Sequence, residues 1–214
     1  MKIEEGYIKF ECILNKSSFD FPQNLYEEIN SWRKKLYNKK LIGANPDGIG
    51  YGNISIRNGK STFIITGTAT GIKTALSIED YVLITGYNLS KNQVICTGEK
   101  RASAETMSHA AVYEGNSGIE AIIHIHHLGL WEKLRDKLPT TSYEVEYGTP
   151  QMAYEIIRLF RETDVFYSKI FVMGGHKEGI ISFGKNLNEA GDVILKYFNL
   201  YLNNKLKNHT VKGL

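Results

Sequence analysis

The sequence predicts a mixed α/β domain in which helices cover the faces of a mostly antiparallel sheet. Helical and strand-like stretches alternate along the 214 residues, and several strand-like runs are separated only by short turns, which favours antiparallel pairing. Hydrophobic residues make up 42% of the chain and charged residues 23%, which is ordinary for a globular protein that buries a core. Because the chain has no internal repeat and no low-complexity linker, residues 1–214 are interpreted as one domain.

The predicted helices are recognised by apolar spacing and by end signals. Four segments are predicted to be helical: 21–42, 103–115, 149–163 and 186–206. The first repeats apolar residues every three to four positions, as an amphipathic helix does. The second begins at Ser103, an N-cap candidate, and ends at Gly115. The third has Thr149 as its cap and Pro150 at its first helical position.

The predicted strands are β-rich runs between these helices. They span 51–57, 61–67, 80–86, 118–127, 169–175 and 179–184. The second and third runs are expected to stop at Gly67 and Gly86. The last two are separated by the short turn "HKE", which predicts that they pair with each other.

Composition excludes several classes of function. The net charge is +3 and no run of five or six like charges occurs, so the sequence shows no nucleic-acid footprint. No stretch approaches the roughly 18 apolar residues of a membrane span. Cys12 and Cys96 are far apart without CxxC spacing, which argues for a reducing compartment and against a disulfide scaffold. The N-terminus carries acids where a signal peptide would be basic and then apolar, so a cytoplasmic protein is predicted.

Half of the histidines lie in one short stretch, at His124, His126 and His127. Strand side chains alternate between faces, so His124 and His126 point one way while Ile123 and Ile125 point into the core. Two imidazoles at positions i and i+2 can converge on one metal ion. The alternative is an exposed face that carries two histidines by chance.

A catalytic zinc site usually takes three protein ligands and keeps one position open, so a third histidine is needed. His127 would lie on the opposite face of a continuing strand, and His209 lies in a polar tail. His176 is the better candidate, because the preceding Gly174 and Gly175 permit backbone conformations that a β-branched residue would not.

Glu105 and His109 are four residues apart and share a face of the helix predicted at 103–115. They could form a polar pair on a solvated face. The following strand carries the paired histidines, however, so a carboxylate in the first helical turn could instead face the metal. There it could serve as a fourth ligand or as a base.

Two glycine-rich loops suit an anion. Residues 48–57 place three glycines before a strand, and residues 65–75 concentrate hydroxyls and glycines. The latter are Thr66, Gly67, Thr68, Thr70 and Gly71. Backbone N–H groups in such turns form anion-binding concavities. Neither loop matches the phosphate loop that ends in GK[ST], and ordinary turns are the alternative interpretation.

Taken together, these stretches resemble the class II aldolase/adducin family, whose members include fuculose phosphate aldolase and ribulose phosphate 4-epimerase. The resemblance runs from about residue 24 to 203 and rests on stretches in the family's order. They read "GNISIR", "ITGTATG", "SAETMSH", "AIIHIHH", "YGTPQMA" and "GGHKEGIISFG". The family implies a three-layer sandwich with a central, mostly antiparallel sheet covered by helices, and a homotetramer with active sites at subunit interfaces.

The resemblance also implies site residues. The implied ligands of zinc, or of another divalent metal, are His124, His126 and His176, together with Glu105 when no substrate is bound. The implied substrate-binding residues of the phosphate site are Asn53, Thr68, Gly71 and Ser103. Glu105 matches the family's catalytic carboxylate. Ala104 stands where the family often has a second phosphate-binding hydroxyl, so the substrate could also lack a phosphate. Tyr143 is the candidate for the tyrosine acid that reaches the neighbouring subunit.

The function that this resemblance implies is a zinc-dependent aldehyde-lyase, an aldolase that cleaves a small sugar phosphate through a metal-stabilised enediolate. A sugar-phosphate 4-epimerase or a dehydratase on the same scaffold is the alternative within enzymes. A non-catalytic, adducin-like binding module is the alternative outside them. Missing ligands would favour that module, whereas this sequence has all three histidines and the carboxylate.

Overall fold

The computed structural model describes residues 7–210, with side chains up to residue 205. The N-terminal acids that argued against a signal peptide and the side chain of His209 therefore lie outside the described residues. Within residues 7–210, no helix combines the length and the apolar character that a membrane-spanning segment requires.

Strands and helices alternate as predicted. The strands are β1 (Glu11–Asn15), β2 (Gly43–Ala44), β3 (Gly50–Tyr51), β4 (Asn53–Arg57), β5 (Phe63–Thr66), β6 (Tyr81–Asn88), β7 (Gln93–Thr97), β8 (Ala121–His126), β9 (Ile170–Val172) and β10 (Gly179–Gly184). The helices are α1 (Gln23–Asn38), α2 (Thr106–Gly115), α3 (Leu128–Leu134), α4 (Pro150–Glu162), α5 (Val165–Ser168) and α6 (Leu187–Thr210).

Eight of the strands form one sheet in the order β1-β7-β6-β5-β4-β8-β10-β9, and β2 pairs with β3 in a separate ribbon. Every neighbouring pair in the large sheet is antiparallel except the edge pair of β1 and β7. The prediction of a mostly antiparallel sheet is confirmed.

Helices cover both faces of this sheet, so the chain has three layers. One apolar cluster joins one face of the sheet to α2 and α4, and the other joins the opposite face to α1, α3 and α6. Strand β8 shows the alternation directly, because Ile122 belongs to the first cluster while Ile123 and Ile125 belong to the second. The central strand is buried along its whole length. Side chains at its end can therefore define an enclosed site.

Two local predictions were wrong. Helix α2 begins at Thr106 with Glu105 at the N-cap, so Ser103 lies before the helix, where its hydroxyl accepts from the side chain of Asn53 at 3.1 Å and from the Glu105 N–H at 3.4 Å. Strand β6 does not stop at Gly86 but continues to Asn88; the pairing to β7 shifts in register between Ile84 and Gly86, which leaves Thr85 as the extra residue. Thr149 does cap α4, since its hydroxyl accepts from the Met152 N–H at 3.3 Å.

Candidate metal and anion site

A cleft of about 360 Å³ opens where β4 begins beside the end of the antiparallel strand β8. The loop after β5, the segment before α2 and the turn before β10 complete its walls. All three histidines proposed as ligands line it, as do all four residues proposed for the phosphate. The sequence therefore predicted which segments meet, although they are far apart along the chain.

His124 and His126 lie at the end of β8 and are 1% and 4% exposed. The interpretation of an exposed face with chance histidines is therefore wrong. Strand pairing places Asn53 of β4 directly opposite His124, and Gly179 of β10 directly opposite His126. A Cβ at Gly179 would lie 3.2 Å from both His124 Nε2 and the ring of His176, so this glycine gives the two imidazoles room to approach.

His176 reaches the cleft from the turn between β9 and β10 and is 7% exposed. The two glycines before it are needed for space, since neither has a positive φ. A Cβ at Gly174 would clash with the carbonyl oxygen of Thr141, and one at Gly175 with that of Val145. The turn therefore packs closely against residues 141–145. This packing places His176 beside the end of β8.

The ligand atoms of His124, His126 and His176 all lie within 4.8 Å of one another, so this triad could bind one metal ion. The chemistry of the site fits. Burial holds the pKa of His124 well below its usual range, as do the neighbouring His126 and His176, so this imidazole is neutral as a ligand must be. Its Nε2 is buried and has no hydrogen-bond partner among the described residues. An orphaned ring nitrogen of this kind is expected in a metal site.

Glu105 is 3% exposed and lies beside the triad rather than within it. Its Oε1 is 2.9 Å from Nδ1 of His176, and its Oε2 accepts from the Ser108 hydroxyl at 2.6 Å. Burial alone would raise the pKa of Glu105, but the charge of His176 and hydrogen bonds from His176 and Ser108 outweigh it and lower that pKa. A carboxylate on the outer nitrogen of a histidine orients the ring for a metal on the other nitrogen.

His109 is fully buried and does not form the solvated pair with Glu105 that the sequence allowed. Its Nδ1 is 2.7 Å from the Ser55 hydroxyl, which is also 2.9 Å from the hydroxyl of Tyr113. This polar chain fixes α2 to β4 behind the metal site. Burial lowers the pKa of His109 to about 3, although Glu105 opposes the shift.

Acid should destabilise the protein through His109. An unfolded histidine titrates near pH 6.5. Below that pH the unfolded chain binds a proton at this residue, whereas His109 in the folded protein stays neutral because its pKa is lowered by burial. The stability that this neutral histidine contributes is complete above about pH 6.5 and is lost as the pH falls toward 3. We expect urea unfolding of the metal-free protein to lose about 2 kcal/mol from His109 between about pH 7.5 and pH 5. His109→Gln should remove about 2 kcal/mol of this loss and leave the part that comes from His124, whose pKa is also lowered. An equally steep dependence in the variant would place its origin outside His109.

The two glycine-rich loops pack directly on each other. A Cβ at Gly71 would clash with the carbonyl oxygen of Gly43, and a Cβ at Gly50 would lie 2.9 Å from the Gly71 nitrogen. These glycines permit the close approach of two backbones, which brings both loops to one wall of the cleft.

The second loop lines the cleft and has backbone N–H groups that are available to a ligand. The N–H of Thr68 is used, since it donates to the Arg101 carbonyl at 3.0 Å. Within the described chain, the next N–H groups of Ala69, Thr70 and Gly71 donate no hydrogen bond. Ala69 has a left-handed φ of 57°, a conformation that lets successive N–H groups converge in an anion-binding nest. The predicted anion loop therefore offers residues 69–71 as backbone donors, and Thr68 only its hydroxyl.

Arg33 supports this loop from behind. It is 2% exposed, and its guanidinium donates to the carbonyls of Thr70 at 2.9 Å and Thr74 at 3.3 Å.

We expect Arg33→Met to weaken the binding of inorganic phosphate by about tenfold, because the loop loses two hydrogen bonds from a charged group and becomes less ordered. Zinc content should not change. Lys34→Met, at the neighbouring exposed position, is the control. If isothermal titration finds the same phosphate affinity in both variants, Arg33 does not support phosphate binding by this loop.

Sequence reasoning missed the aromatic part of the cleft. Tyr147 is 4% exposed and lines it, with its ring stacked on His176 at a centroid distance of 4.4 Å. Tyr143, which the sequence suggested, lies outside the cleft of its own chain, is 48% exposed and donates its hydroxyl hydrogen bond to Asp136 at 2.6 Å. The sequence signal that could have indicated Tyr147 is its position directly before Gly148 and Thr149, the residue that caps α4.

Comparisons with known proteins agree with this geometry. The model of the family described as the class II aldolase and adducin N-terminal domain matches residues 36–197. A comparison with curated protein sequences gives no significant match.

Solved structures show the same fold. An L-fuculose 1-phosphate aldolase superimposes with a TM-score of 0.65 and 21% identity, covering 91% of each chain. The L-fuculose-1-phosphate aldolase of Thermus thermophilus gives 0.61 and 20% identity, covering 88% of this chain and 95% of that one. YgbL of Klebsiella pneumoniae, described as a putative aldolase/epimerase/decarboxylase, gives 0.63 and 20% identity, covering 86% of this chain and 89% of that one.

Proposed function

Because the chain belongs to the class II aldolase and adducin N-terminal domain family, we propose that it is a metal-dependent aldolase that cleaves a small phosphorylated ketose to release an aldehyde. The observation that carries the proposal is the buried triad of His124, His126 and His176 with Glu105 at 2.9 Å from His176. Within this cluster His124 Nε2 is buried without a hydrogen-bond partner among the described residues, which suits a bound metal ion, and the buried carboxylate beside the cluster suits proton transfer.

The three histidines would hold zinc. Bound there, the metal would polarise the ketose carbonyl and stabilise the negative charge that develops when the carbon–carbon bond breaks. Glu105 contributes a buried carboxylate whose lowered pKa keeps it ionised, and so able to take a proton from the substrate. Until the substrate arrives, this carboxylate contacts His176.

The substrate's phosphate would lie against the wall formed by the two glycine-rich loops. Residues 69–71 supply backbone donors, and the Thr68 and Ser103 hydroxyls border the same cleft. Asn53 lies between this wall and the triad, since its Nδ2 is 3.1 Å from Ser103 Oγ and 3.4 Å from His124 Nδ1. The phosphate site and the metal site are therefore coupled through one side chain.

The same cleft serves the alternatives. An epimerase or a dehydratase would need the same metal and carboxylate and would differ in where protons are delivered. YgbL is itself described as a putative aldolase/epimerase/decarboxylase, so its similarity does not choose among these reactions. The resemblance supports a homotetramer, whereas the cysteine spacing supports the cytoplasm and the lack of repeats and linkers supports one domain per chain. Light scattering that gives a monomer mass would exclude active sites shared between subunits.

The test is a screen of the zinc-loaded protein against phosphorylated and free ketoses, with aldehyde release followed by a coupled dehydrogenase. Aldehyde release that requires zinc and a phosphorylated ketose supports the proposal. A rearranged sugar or an eliminated water without free aldehyde would favour the epimerase or the dehydratase. Equal rates with unphosphorylated ketoses would indicate that the substrate lacks a phosphate, as the replacement of a phosphate-binding hydroxyl by Ala104 suggests.

A further inference from the structure

The two cysteines of the chain lie side by side, although their positions differ by 84. Cys12 is on the edge strand β1 and Cys96 is on β7. These strands pair in parallel, with Cys12 opposite Val94 and Leu14 opposite Cys96. The thiols therefore occupy diagonal positions on one face of the sheet, and their sulfur atoms are 3.6 Å apart. A disulfide bond of about 2.05 Å needs Cα atoms about 4.4–6.8 Å apart, whereas diagonal neighbours in a sheet lie about 7–8 Å apart, so closing the bond also requires a shift of the edge strand β1 toward β7.

The environment of the pair distinguishes the two thiols. Cys12 is half-buried and reachable from solvent, whereas Cys96 is fully buried. A hydrogen bond from the Cys96 thiol lowers the pKa of Cys12 despite its burial, with help from the Ala102 N–H and the Arg101 side chain, and the same hydrogen bond raises the pKa of Cys96. Peroxide-sensitive cysteines have this arrangement: a thiolate lies near a cation, and a second thiol beside it can react with the oxidised sulfur to form a disulfide.

We propose that Cys12 and Cys96 form a reversible disulfide when the protein meets a peroxide. The Cys12 thiolate attacks one oxygen of hydrogen peroxide and breaks the O–O bond, which gives a sulfenic acid and a hydroxide that is protonated to water. The Cys96 sulfur then attacks the Cys12 sulfur and loses its proton, and the hydroxide that leaves is protonated to a second water. Two thiols are oxidised by two electrons, and one peroxide is reduced to two waters.

The Cys12–Cys96 disulfide would link β1 to β7, and the chain segments before β1 and after β7 both border the cleft. Upstream of β1, Tyr7 lines the cleft, and Lys9 Nζ lies 4.1 Å above the ring of Tyr147. Downstream of β7, the chain leads to Ser103 and Glu105 in the opposite wall. A cross-link between positions so distant in sequence restricts the unfolded chain strongly, so the melting temperature should rise by about 5–10 °C on oxidation.

The test uses the full-length, metal-loaded chain and hydrogen peroxide. After treatment, alkylation under denaturing conditions and intact mass should show a monomer that has lost two hydrogen atoms and has no free thiol. Dithiothreitol should restore both thiols and the original melting temperature. Cys96→Ala should stop at a Cys12 sulfenic acid that dimedone traps, and Cys12→Ser should leave Cys96 unreactive. Neither variant should gain thermal stability.

Three results would overturn the proposal. Both thiols of the wild-type chain could remain free at peroxide levels that trap a sulfenic acid in Cys96→Ala. Cys12 could oxidise to a sulfinic acid without bonding to Cys96. The disulfide could join two chains, which a non-reducing gel would reveal. None of these measurements depends on the proposed aldolase activity.

Discussion

His126→Asn should lower the affinity for zinc by more than about 100-fold, since even the loss of an outer partner of a metal ligand costs about 10–100-fold. The variant keeps a polar side chain at the end of β8 but leaves two of the three ligands. Zinc would be measured by elemental analysis of protein purified without chelator and by competition with a chromophoric chelator.

The neighbouring histidine provides a matched control. His127 lies outside the triad and instead caps α3, with its Nδ1 accepting from the Leu130 N–H at 3.0 Å. Asparagine can also cap a helix, so His127→Asn should retain both the fold and the zinc. Full occupancy in His126→Asn, or equal losses in both variants, would contradict a metal centre at the triad.

Glu105→Gln should lower turnover by about 10²–10⁴-fold, which is typical for a lost general base. The glutamine keeps the shape of the carboxylate and an oxygen that can face His176, but it cannot accept a proton at neutral pH. Because Glu105 also orients His176, zinc affinity should fall by up to about 10–100-fold. Turnover must therefore be compared at saturating zinc, as aldehyde release.

Glu114→Gln is the control for this change, because Glu114 lies on the same helix α2 but is exposed. It should keep both zinc and turnover. Near-normal turnover in Glu105→Gln would move the base to another residue. A variant that recovers wild-type turnover only when its zinc is restored would make Glu105 a metal-orienting residue without a role in proton transfer.

The sequence predicted the buried histidine cluster better than the edge of the sheet, and the reason is physical. The alternation of His124 and His126 with isoleucines is a local pattern that the strand period dictates. By contrast, β1 pairs in parallel with β7, which lies far along the chain, so no hairpin turn links these two runs. Helix α3 was missed because its N-cap is His127, a residue that is uncommon there, and Gly129 interrupts its helical pattern.

Close approaches between distant segments could not be predicted from one sequence. Gly174 and Gly175 suggested backbone freedom, but their role is to make room for the carbonyls of Thr141 and Val145. The proximity of Cys12 and Cys96 depends in the same way on a strand pairing with no local signature. Propensity and spacing describe neighbours in sequence, whereas these contacts depend on the final topology.

The most direct test of the central claim is solvent exchange into the smallest phosphorylated ketose, dihydroxyacetone phosphate, in heavy water. It requires no knowledge of the aldehyde product, and it reports proton removal by Glu105 at the metal centre. The zinc-loaded protein should introduce one deuterium at the hydroxymethyl carbon, a chelator should abolish the exchange, and Glu105→Gln should slow it by about 10²–10⁴-fold. Exchange that continues unchanged without metal, or that proceeds equally fast in Glu105→Gln at saturating zinc, would contradict the account.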